Sequence, residues 1–405
     1  MLEEKKLEDL VDNYNFQRVP LSSSQRENLE KIYPYYGAQG IIDYVEDYIF
    51  DGEFILVAED GENLKSQKNN VCTFATGKFW VNNHAHIIKA NSENDNKYIF
   101  YKLNQIDFKR FVAGSAQPKL TKDNLNSIKL NVHKFAEQQK IASVLSTLDD
   151  KIALNNQINA TLEQMAKTLY DYWFVQFDFP DDNGKPYKSS GGEMVYNDVL
   201  KREIPKGWNL GSVKDYCPST AGYAFKSSEW TVTGNPVIKI KNIQDNQTLD
   251  VKDIDFVNLT NRKIDNKFKA EAGNIVIAMT GATIGKFALV PKAEIDFYIN
   301  QRVGYFDLGE NPVARLPFLI NSLNMDYFRD AIFTLASGAA QPNISNAQIN
   351  DIILLTPPNE LIKRFNSMVS ANYESILNNQ FANQKLVELR DWLLPMLMNG
   401  QITVQ

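Results

Sequence analysis

The sequence predicts an α+β fold in which two mixed α/β domains with curved sheets form a pseudo-twofold internal repeat. Each domain is followed by a long helix, and the two helices are expected to pair as an antiparallel coiled coil. Duplication is the first observation behind this. Ala-Gln-Pro at 116–118 returns at 340–342, an offset of 224 (340 − 116), and Leu-Asn-Asn-Gln at 154–157 returns at 377–380, an offset of 223 (377 − 154). Each Ala-Gln-Pro follows Ala-Gly-Ser or Ser-Gly-Ala and precedes a hydroxyl residue, Thr121 or Ser345. Upstream, Asp-Gly-Glu-Phe-Ile-Leu-Val-Ala at 51–58 matches Ala-Gly-Asn-Ile-Val-Ile-Ala at 272–278, and Phe-Trp-Val-Asn-Asn at 79–83 matches Phe-Tyr-Ile-Asn-Gln at 297–301. Matches that keep order and spacing mean two copies of a domain plus its helix, because the period far exceeds the roughly 20–50 residues of a solenoid repeat. The second observation is two long segments with coiled-coil spacing, and the third is a set of short β-rich runs between them.

In the first copy, residues 1–132, the runs 54–58 and 79–81 are rich in β-branched and aromatic residues and bounded by Gly, Asn or Asp, as strands are. A helix is expected over 97–112, and Thr121 is placed to cap a short helix after Ala-Gln-Pro. The next segment, 133–180, has no Pro or Gly between 135 and 177. Its apolar residues Ile141, Leu145, Leu148, Ile152, Leu162, Ala166, Leu169 and Trp173 fall in alternating steps of four and three, with Asn155 and Asn159 in the missing places. That spacing is a coiled-coil seam. Residues 181–200, with Asp-Asp-Asn-Gly-Lys-Pro and Ser-Ser-Gly-Gly at their start, have the composition of a flexible, solvated linker.

The second copy, 201–356, has strand-like runs at 237–240, 275–278, 287–290 and 298–303, a helical stretch at 316–335 and Ser345 as the matching cap. The last segment, 357–400, repeats the seam with Phe365, Val369, Ile376, Leu386, Leu393 and Leu397, interrupted by Asn372, Asn379 and Asn383. Pro395 is expected to kink or end this helix early. Each rod of some 40 residues would be roughly 60 Å long. One such helix alone would expose an apolar stripe, and the nearest partner is the other copy. Asparagine in a seam costs stability but fixes register, because only one alignment pairs the amides. Asn155 or Asn156 against Asn379 or Asn383 is the candidate lock, alongside Asn159; the alternative is that these amides face solvent.

Composition narrows the function. With 43% hydrophobic and 23% charged residues in 405, the chain has the make-up of a folded globular protein of two or three domains. The start, Met-Leu-Glu-Glu-Lys-Lys, has no apolar run behind it, and no stretch of 18 apolar residues occurs, so neither a signal peptide nor a membrane span is expected. Two cysteines, Cys72 and Cys217, exclude a disulfide framework and suit a reducing cytoplasm. His84 and His86 stand two apart on a predicted strand but lack a third ligand nearby; they are expected to face solvent or DNA, with no metal site. No phosphate-loop or dinucleotide glycine motif is present, and Thr-Pro-Pro-Asn at 356–359 fits a strand meeting a helix better than a methyltransferase motif. No catalytic residue, metal or cofactor is expected.

The arrangement domain, long helix, domain, long helix resembles the DNA-specificity subunit of type I restriction–modification systems. The residues that carry the resemblance are Pro-Tyr-Tyr-Gly-Ala-Gln-Gly-Ile-Ile at 34–42, Phe-Asp-Gly-Glu at 50–53, Gly-Ala-Thr-Ile-Gly-Lys at 281–286, Ile-Asn-Gln-Arg at 299–302, both Ala-Gln-Pro copies, Glu-Gln-Gln-Lys-Ile-Ala at 137–142 and Ile-Pro-Lys-Gly-Trp at 204–208. Two departures stand out. The second helix opens Asn-Glu-Leu-Ile-Lys instead of on a Glu-Gln pair, and the first domain lacks the Gly-Ala-Thr-Ile-Gly loop. The resemblance implies a non-catalytic reader whose two target-recognition domains each read one half of a bipartite double-stranded DNA site. It further implies methyltransferase subunits, two of them, and restriction and translocation subunits as partners, with the methyl donor and ATP used by those partners. The rival classes are a DNA methyltransferase carrying its own recognition domains, which methyl transfer by the lone chain would reveal, and a coiled-coil adaptor that binds only protein.

Net charge does not advertise DNA binding: it is −6, with a pI near 5.4. Residues 1–133 hold 16 Lys+Arg against 19 Asp+Glu, and 201–355 hold 17 against 16. Basic residues must therefore gather on one face or partners must neutralise the phosphates. Candidate contacts in the first domain are Tyr35, Tyr36, Gln39, Lys65, Lys68 and Lys119. In the second they are Lys239 and Lys241, expected on one strand face, Thr283 and Lys286 in and after the glycine loop, and Arg302, suited to guanine. Gln117 and Gln341 recur with the motif and are expected to be structural. The aromatic run Tyr170, Tyr172, Trp173, Phe174 and Phe177 would either seat a partner or pack the helix end against a domain.

Overall fold

The computed structural model describes residues 2–112, 118–259, 264, 266–336 and 342–404. Contacts divide the chain into two units, Met1–Ile152 with Lys385–Gln405, and Ala153–Gln384. Both boundaries fall inside the long helices.

In the first unit a six-stranded sheet has the order Val11–Asn13, Ala85–Ala90, Phe50–Ala58, Cys72–Val81, Tyr33–Gly37, Gly40–Val45. Neighbours are antiparallel except Tyr33–Gly37 and Cys72–Val81, which run parallel with Tyr35 opposite Trp80 and Tyr36 opposite Val81. A ribbon of Glu3–Lys6 with Lys129–Val132 ties the two ends of the domain together. The run 54–58 is continuously apolar because both its faces are covered: Ile55 and Val57 join one core cluster, Phe54 and Leu56 another. Within this sheet Gly52 (φ +127°) faces Gly77 (φ +77°), each in a backbone conformation that a side chain would strain.

The second unit rebuilds these pieces. Its ribbon is Asn209–Ser212 with Ile353–Thr356. The parallel pair returns as Asn235–Ile238 with Phe297–Ile299, Val237 opposite Tyr298 and Ile238 opposite Ile299. Here the sheet is two sheets. One has the order Ser219–Ala221, Val303–Phe306, Ile275–Ala278, Phe287–Leu289; the other has Trp230–Thr231, Asp255–Val257, Asn235–Ile238, Phe297–Ile299, Lys269–Ala270. Phe287–Leu289 and Phe297–Ile299 take the place of the single strand Cys72–Val81. Pro291 lies between them, and a residue without an N–H interrupts a ladder.

Several expected boundaries move. The stretch 97–112 is a helix, Asn96–Leu103, and a separate turn, Phe108–Phe111, which Asp107 caps by accepting from the Lys109 N–H (3.2 Å). The stretch 316–335 is likewise two helices, Leu316–Leu323 and Asp326–Ala336. In each copy Asn stops the first helix, at Asn104 and Asn324, and Asp begins the next element, so a periodicity that looked continuous is broken by capping residues. Residues 298–303 are not one strand but two, joined by the turn at Asn300–Arg302. Thr121 and Ser345 do cap the short helices Lys122–Asn126 and Asn346–Asn350, each accepting a backbone N–H at 3.2 Å.

The long helices are Phe135–Tyr170, continued by one π turn at Asp171–Val175, and Asn359–Met398. Pro395 does not end the second: it lies within the last turn, where one missing N–H donor costs a single bond. Within the second unit the helices run antiparallel. Asn155 donates to Asn383 and Asn379 donates to Asn159, each at 2.8 Å, so a step of four up one helix is a step of four down the other. Asn383 also donates to Asn156 (2.8 Å). Asn155 and Asn159 are 1% and 7% exposed, so an unpaired amide there would carry its full desolvation cost. Within the first unit, Asp149 accepts from the Tyr101 hydroxyl (2.5 Å) and from Arg390 (2.8 Å). The buried ammonium of Lys102 donates to the Met398 carbonyl (2.8 Å), capping the end of the last helix.

The aromatic run resolves as internal packing. Tyr170, Trp173 and Phe174 surround Phe365, and Phe174 and Phe177 meet Trp208; only Tyr172 is exposed. The stretch read as a flexible linker carries local structure. Asp181 accepts from the N–H groups of Asn183 and Lys185 (both 2.8 Å), and Phe179 stacks on Tyr187 and Trp208. Turn-forming residues gave it the composition of a linker, and the same residues fold it.

Candidate nucleic-acid interface

At one end of each unit, three motifs of the sequence repeat are drawn together by matching hydrogen bonds. In the first unit the strand Phe50–Ala58 runs out at Glu59, whose N–H donates to the His84 carbonyl (2.9 Å) and whose carbonyl accepts from the Leu120 N–H (2.8 Å). In the second, Met279 holds the same place: its N–H donates to the Arg302 carbonyl (3.2 Å) and its carbonyl accepts from the Ile344 N–H (2.9 Å). A bridge of Asp60 with Lys119 is matched by Thr280 with Asn343. Residues just beyond each Ala-Gln-Pro are thereby pinned beside a strand end and a strand-to-strand turn. Gln117 and Gln341 lie outside the described residues.

The turn itself is duplicated. The Asn82 N–H donates to the Tyr36 carbonyl and the Asn300 N–H to the Ile238 carbonyl, both at 3.0 Å. Each asparagine then curls its side-chain oxygen onto the N–H two residues on, His84 at 2.8 Å and Arg302 at 3.5 Å. This side-chain mimic of a backbone turn breaks the strand and leaves the following residues outside the sheet. Asn83, His84, Gln301 and Arg302 are all exposed.

Electrostatics at the first end centre on Glu59. Its carboxylate meets Arg18 (2.6 Å) and Lys119 (3.3 Å), with His86 Nδ1 at 3.7 Å. Burial pushes this carboxyl upward, but the bonds from Arg18 and Lys119 and the charges of His86 and Arg18 outweigh it and hold it below its ordinary value of 4.5. His86 is not on a solvent face as expected. It is 2% exposed, with Asn15 Nδ2 2.8 Å from Nδ1 and the Leu120 carbonyl 2.8 Å from Nε2, and burial pushes it below 6.5. Both shifts have one sign. The His86 contribution to stability is lost as pH falls below about 6.5, and that of Glu59 as pH falls below about 4.5 through its lower folded value. Glu59→Gln is therefore expected to flatten the acid side of the stability profile below pH 4.5, read by thermal denaturation at stepped pH. An unchanged acid limb would remove Glu59 from this role.

The other expected contacts are placed unevenly. Tyr35 and Tyr36 are 1% and 8% exposed. The Tyr35 hydroxyl accepts the Leu21 N–H (2.9 Å), so Tyr35 is a core residue rather than a contact, as is Tyr36. A bulge between them keeps both rings inside. Gln39 is exposed at the tip of the adjoining hairpin, Lys68 is exposed, and Lys65 is half-buried on the short helix Asn63–Ser66 with interactions of its own. Lys239 and Lys241 do not share a strand face, because the strand ends at Ile238. Buried Asn242 accepts the Lys239 N–H (2.9 Å) and donates to the carbonyls of Asp250 and Asp253 (both 3.0 Å), winding 240–242 into a tight turn. The two ammonium groups nevertheless converge on Asp255, at 2.9 and 3.1 Å, and Lys239 lies 3.2 Å from the Trp230 ring centre. Burial raises the Asp255 carboxyl, yet the two lysines overcome it and hold it low.

Thr283 ends the turn Gly281–Thr283, and Lys286 pairs with Asp245 at 2.5 Å. Gly285 (φ +80°) sits so close to Ile332 that a Cβ would come within 3.1 Å, so this glycine serves packing as well as the turn. Among the described residues no carboxylate pairs with Arg302 and no group of acidic, His or Cys side chains could hold a metal. His84 is exposed, in keeping with the expectation that it faces solvent or DNA, but its equivalence to Arg302 and its partner Asp60 were missed. The repeated asparagine of the 79–83 and 297–301 motifs held the signal for the equivalence, since it marks a break with an exposed residue two positions on; no motif announces Asp60.

Two copies of one domain, each with the same three-loop end, define a duplicated binding module. The family model for the type I restriction modification DNA specificity domain matches residues 2–164 and 205–371. The chain belongs to this family and carries its domain twice. It is 28% identical over 334 residues to the type I restriction enzyme HindI specificity subunit of Haemophilus influenzae, covering 70% of this chain and 71% of the relative. It is 27% identical to the MjaIX specificity subunit of Methanocaldococcus jannaschii, covering 76% and 68%, and 24% identical to the MjaVIII specificity subunit of the same organism, covering 94% and 88%. The crystal structure of a type I restriction–modification system S subunit from M. genitalium shares the fold, with a TM-score of 0.59 at 15% identity over 98% of this chain and 96% of that one.

Proposed function

We propose that this chain is the sequence-recognising subunit of a type I restriction–modification complex, each unit reading one half of a bipartite site in double-stranded DNA. The observation that carries this is the duplicated end: the same strand end, asparagine turn and post-Ala-Gln-Pro segment, joined by the same hydrogen bonds, but dressed with different exposed side chains. A shared frame with unlike surface residues is what two readers of two different half-sites require. The paired helices, with register fixed by Asn155–Asn383 and Asn159–Asn379, set the distance between half-sites. Two methyltransferase subunits and the restriction and translocation subunits assemble on this chain in the cytoplasm and supply all catalysis. No helix among the described residues is long and apolar enough to cross a membrane.

The acidic balance fits this role once pairing is considered. Lys241 and Lys286 are each held by an exposed carboxylate in the free chain, Asp253 and Asp245. Such pairs are worth about 0–1 kcal/mol, so phosphate can replace the carboxylate at little cost. Lys241→Ala combined with Lys286→Ala is expected to flatten the slope of log K against log salt by about 2 in the complex assembled with its methyltransferase subunits, since each phosphate contact contributes about 0.9. An unchanged slope would take these lysines off the DNA face.

A further inference from the structure

We infer that His84 and Arg302 are matched base-reading positions, one in each unit, and this rests on the proposed reading of DNA. The two residues are unlike in chemistry, yet they follow matched motifs and hold the same place in each unit. Each carbonyl accepts the N–H of the residue that ends the central strand, Glu59 or Met279. Each backbone N–H is taken by the asparagine two residues earlier, and each asparagine is anchored to the parallel neighbouring strand at 3.0 Å. The backbone is therefore fixed on both sides, and the exposed side chain is the part free to differ between half-sites.

Their surroundings assign a chemistry to each. His84 Nδ1 lies 2.6 Å from an Asp60 carboxylate oxygen, which accepts only, so the ring donates from Nδ1. In the neutral ring Nε2 is then an acceptor, on a side chain 51% exposed. An acceptor at that position suits an exocyclic amino group in the major groove, N4 of cytosine or N6 of adenine. Arg302 offers donors only and has no carboxylate partner among the described residues, which suits O6 and N7 of guanine. Asp60 acts through His84 and is a positioning residue.

The test uses the full chain assembled with its methyltransferase subunits and a duplex library randomised across the site, with binding scored base by base. His84→Ala is expected to reduce preference roughly tenfold at one base pair in one half-site, leaving affinity for other bases there unchanged. Arg302→Ala should do the same at one base pair in the other half. His84→Gln, which keeps an acceptor, should retain part of the preference, and Asp60→Asn should weaken it without abolishing it. Circular dichroism and co-purification with the partners establish that each variant is folded and assembled. Uniform weakening on every sequence, loss confined to the same half for both residues, or no change would overturn the inference. A wild-type complex with no sequence preference at all would instead sink the DNA-reading function on which it rests.

Discussion

Phe365→Ala is expected to lower the stability of the second unit by about 3–5 kcal/mol, the usual cost of removing a fully buried aromatic ring. Phe365 is 0% exposed, and its ring lies between 5.1 and 5.9 Å from the rings of Phe174, Trp173 and Tyr170. Those three come from the end of the central helix and its π turn, whereas Phe365 comes from the start of the last helix. Truncation thus leaves a cavity lined by large rigid rings that collapse poorly, which places the cost in the upper part of the range. For a unit of this size the melting temperature should fall by roughly 6–20 °C. A loss below about 1 kcal/mol in thermal or urea denaturation would mean that the aromatic cluster does not hold the helix ends.

The same cluster illustrates what sequence could decide and what it could not. Spacing alone placed Trp173 and Phe365 on seams, and the missing places of those seams fell on Asn155 and Asn159, which do meet Asn383 and Asn379. Heptad patterns are legible because one period governs many residues. Whether Tyr170, Trp173 and Phe174 faced a partner or their own domain was undecidable, since both are apolar surfaces; Phe318, Phe365 and Trp208 answer it from 34 to 195 positions away in sequence (208 − 174 and 365 − 170).

Local chemistry misled where one residue overrode a pattern. The alternation Ile238, Lys239, Ile240, Lys241 looked like a strand, but Asn242 gathers three backbone groups and turns it. Tyr35 and Tyr36 looked like surface aromatics, and a bulge together with burial on both sides of the sheet put them inside. His86 was hidden for the opposite reason: its two ring nitrogens are satisfied by Asn15 and Leu120, partners that no motif announces. Positions fixed by repetition could be read, and positions fixed by a single long-range polar contact could not.

If each unit reads its own half-site, as proposed, then exchanging one unit should change one half of the site alone. The segment 201–356 is suited to exchange, because its entering strand Asn209–Ser212 pairs antiparallel with its leaving strand Ile353–Thr356. Asn209 therefore lies beside Thr356, and the sequences of both long helices are left unchanged. Replacing 201–356 with the corresponding segment of a relative of different specificity, and mapping methylated adenines across the host genome, tests this most directly. The expected result is a new sequence in one half of the site, with the other half and the spacing between halves unchanged. A methylated site altered in both halves, or unaltered in either by a folded and assembled hybrid, would contradict it.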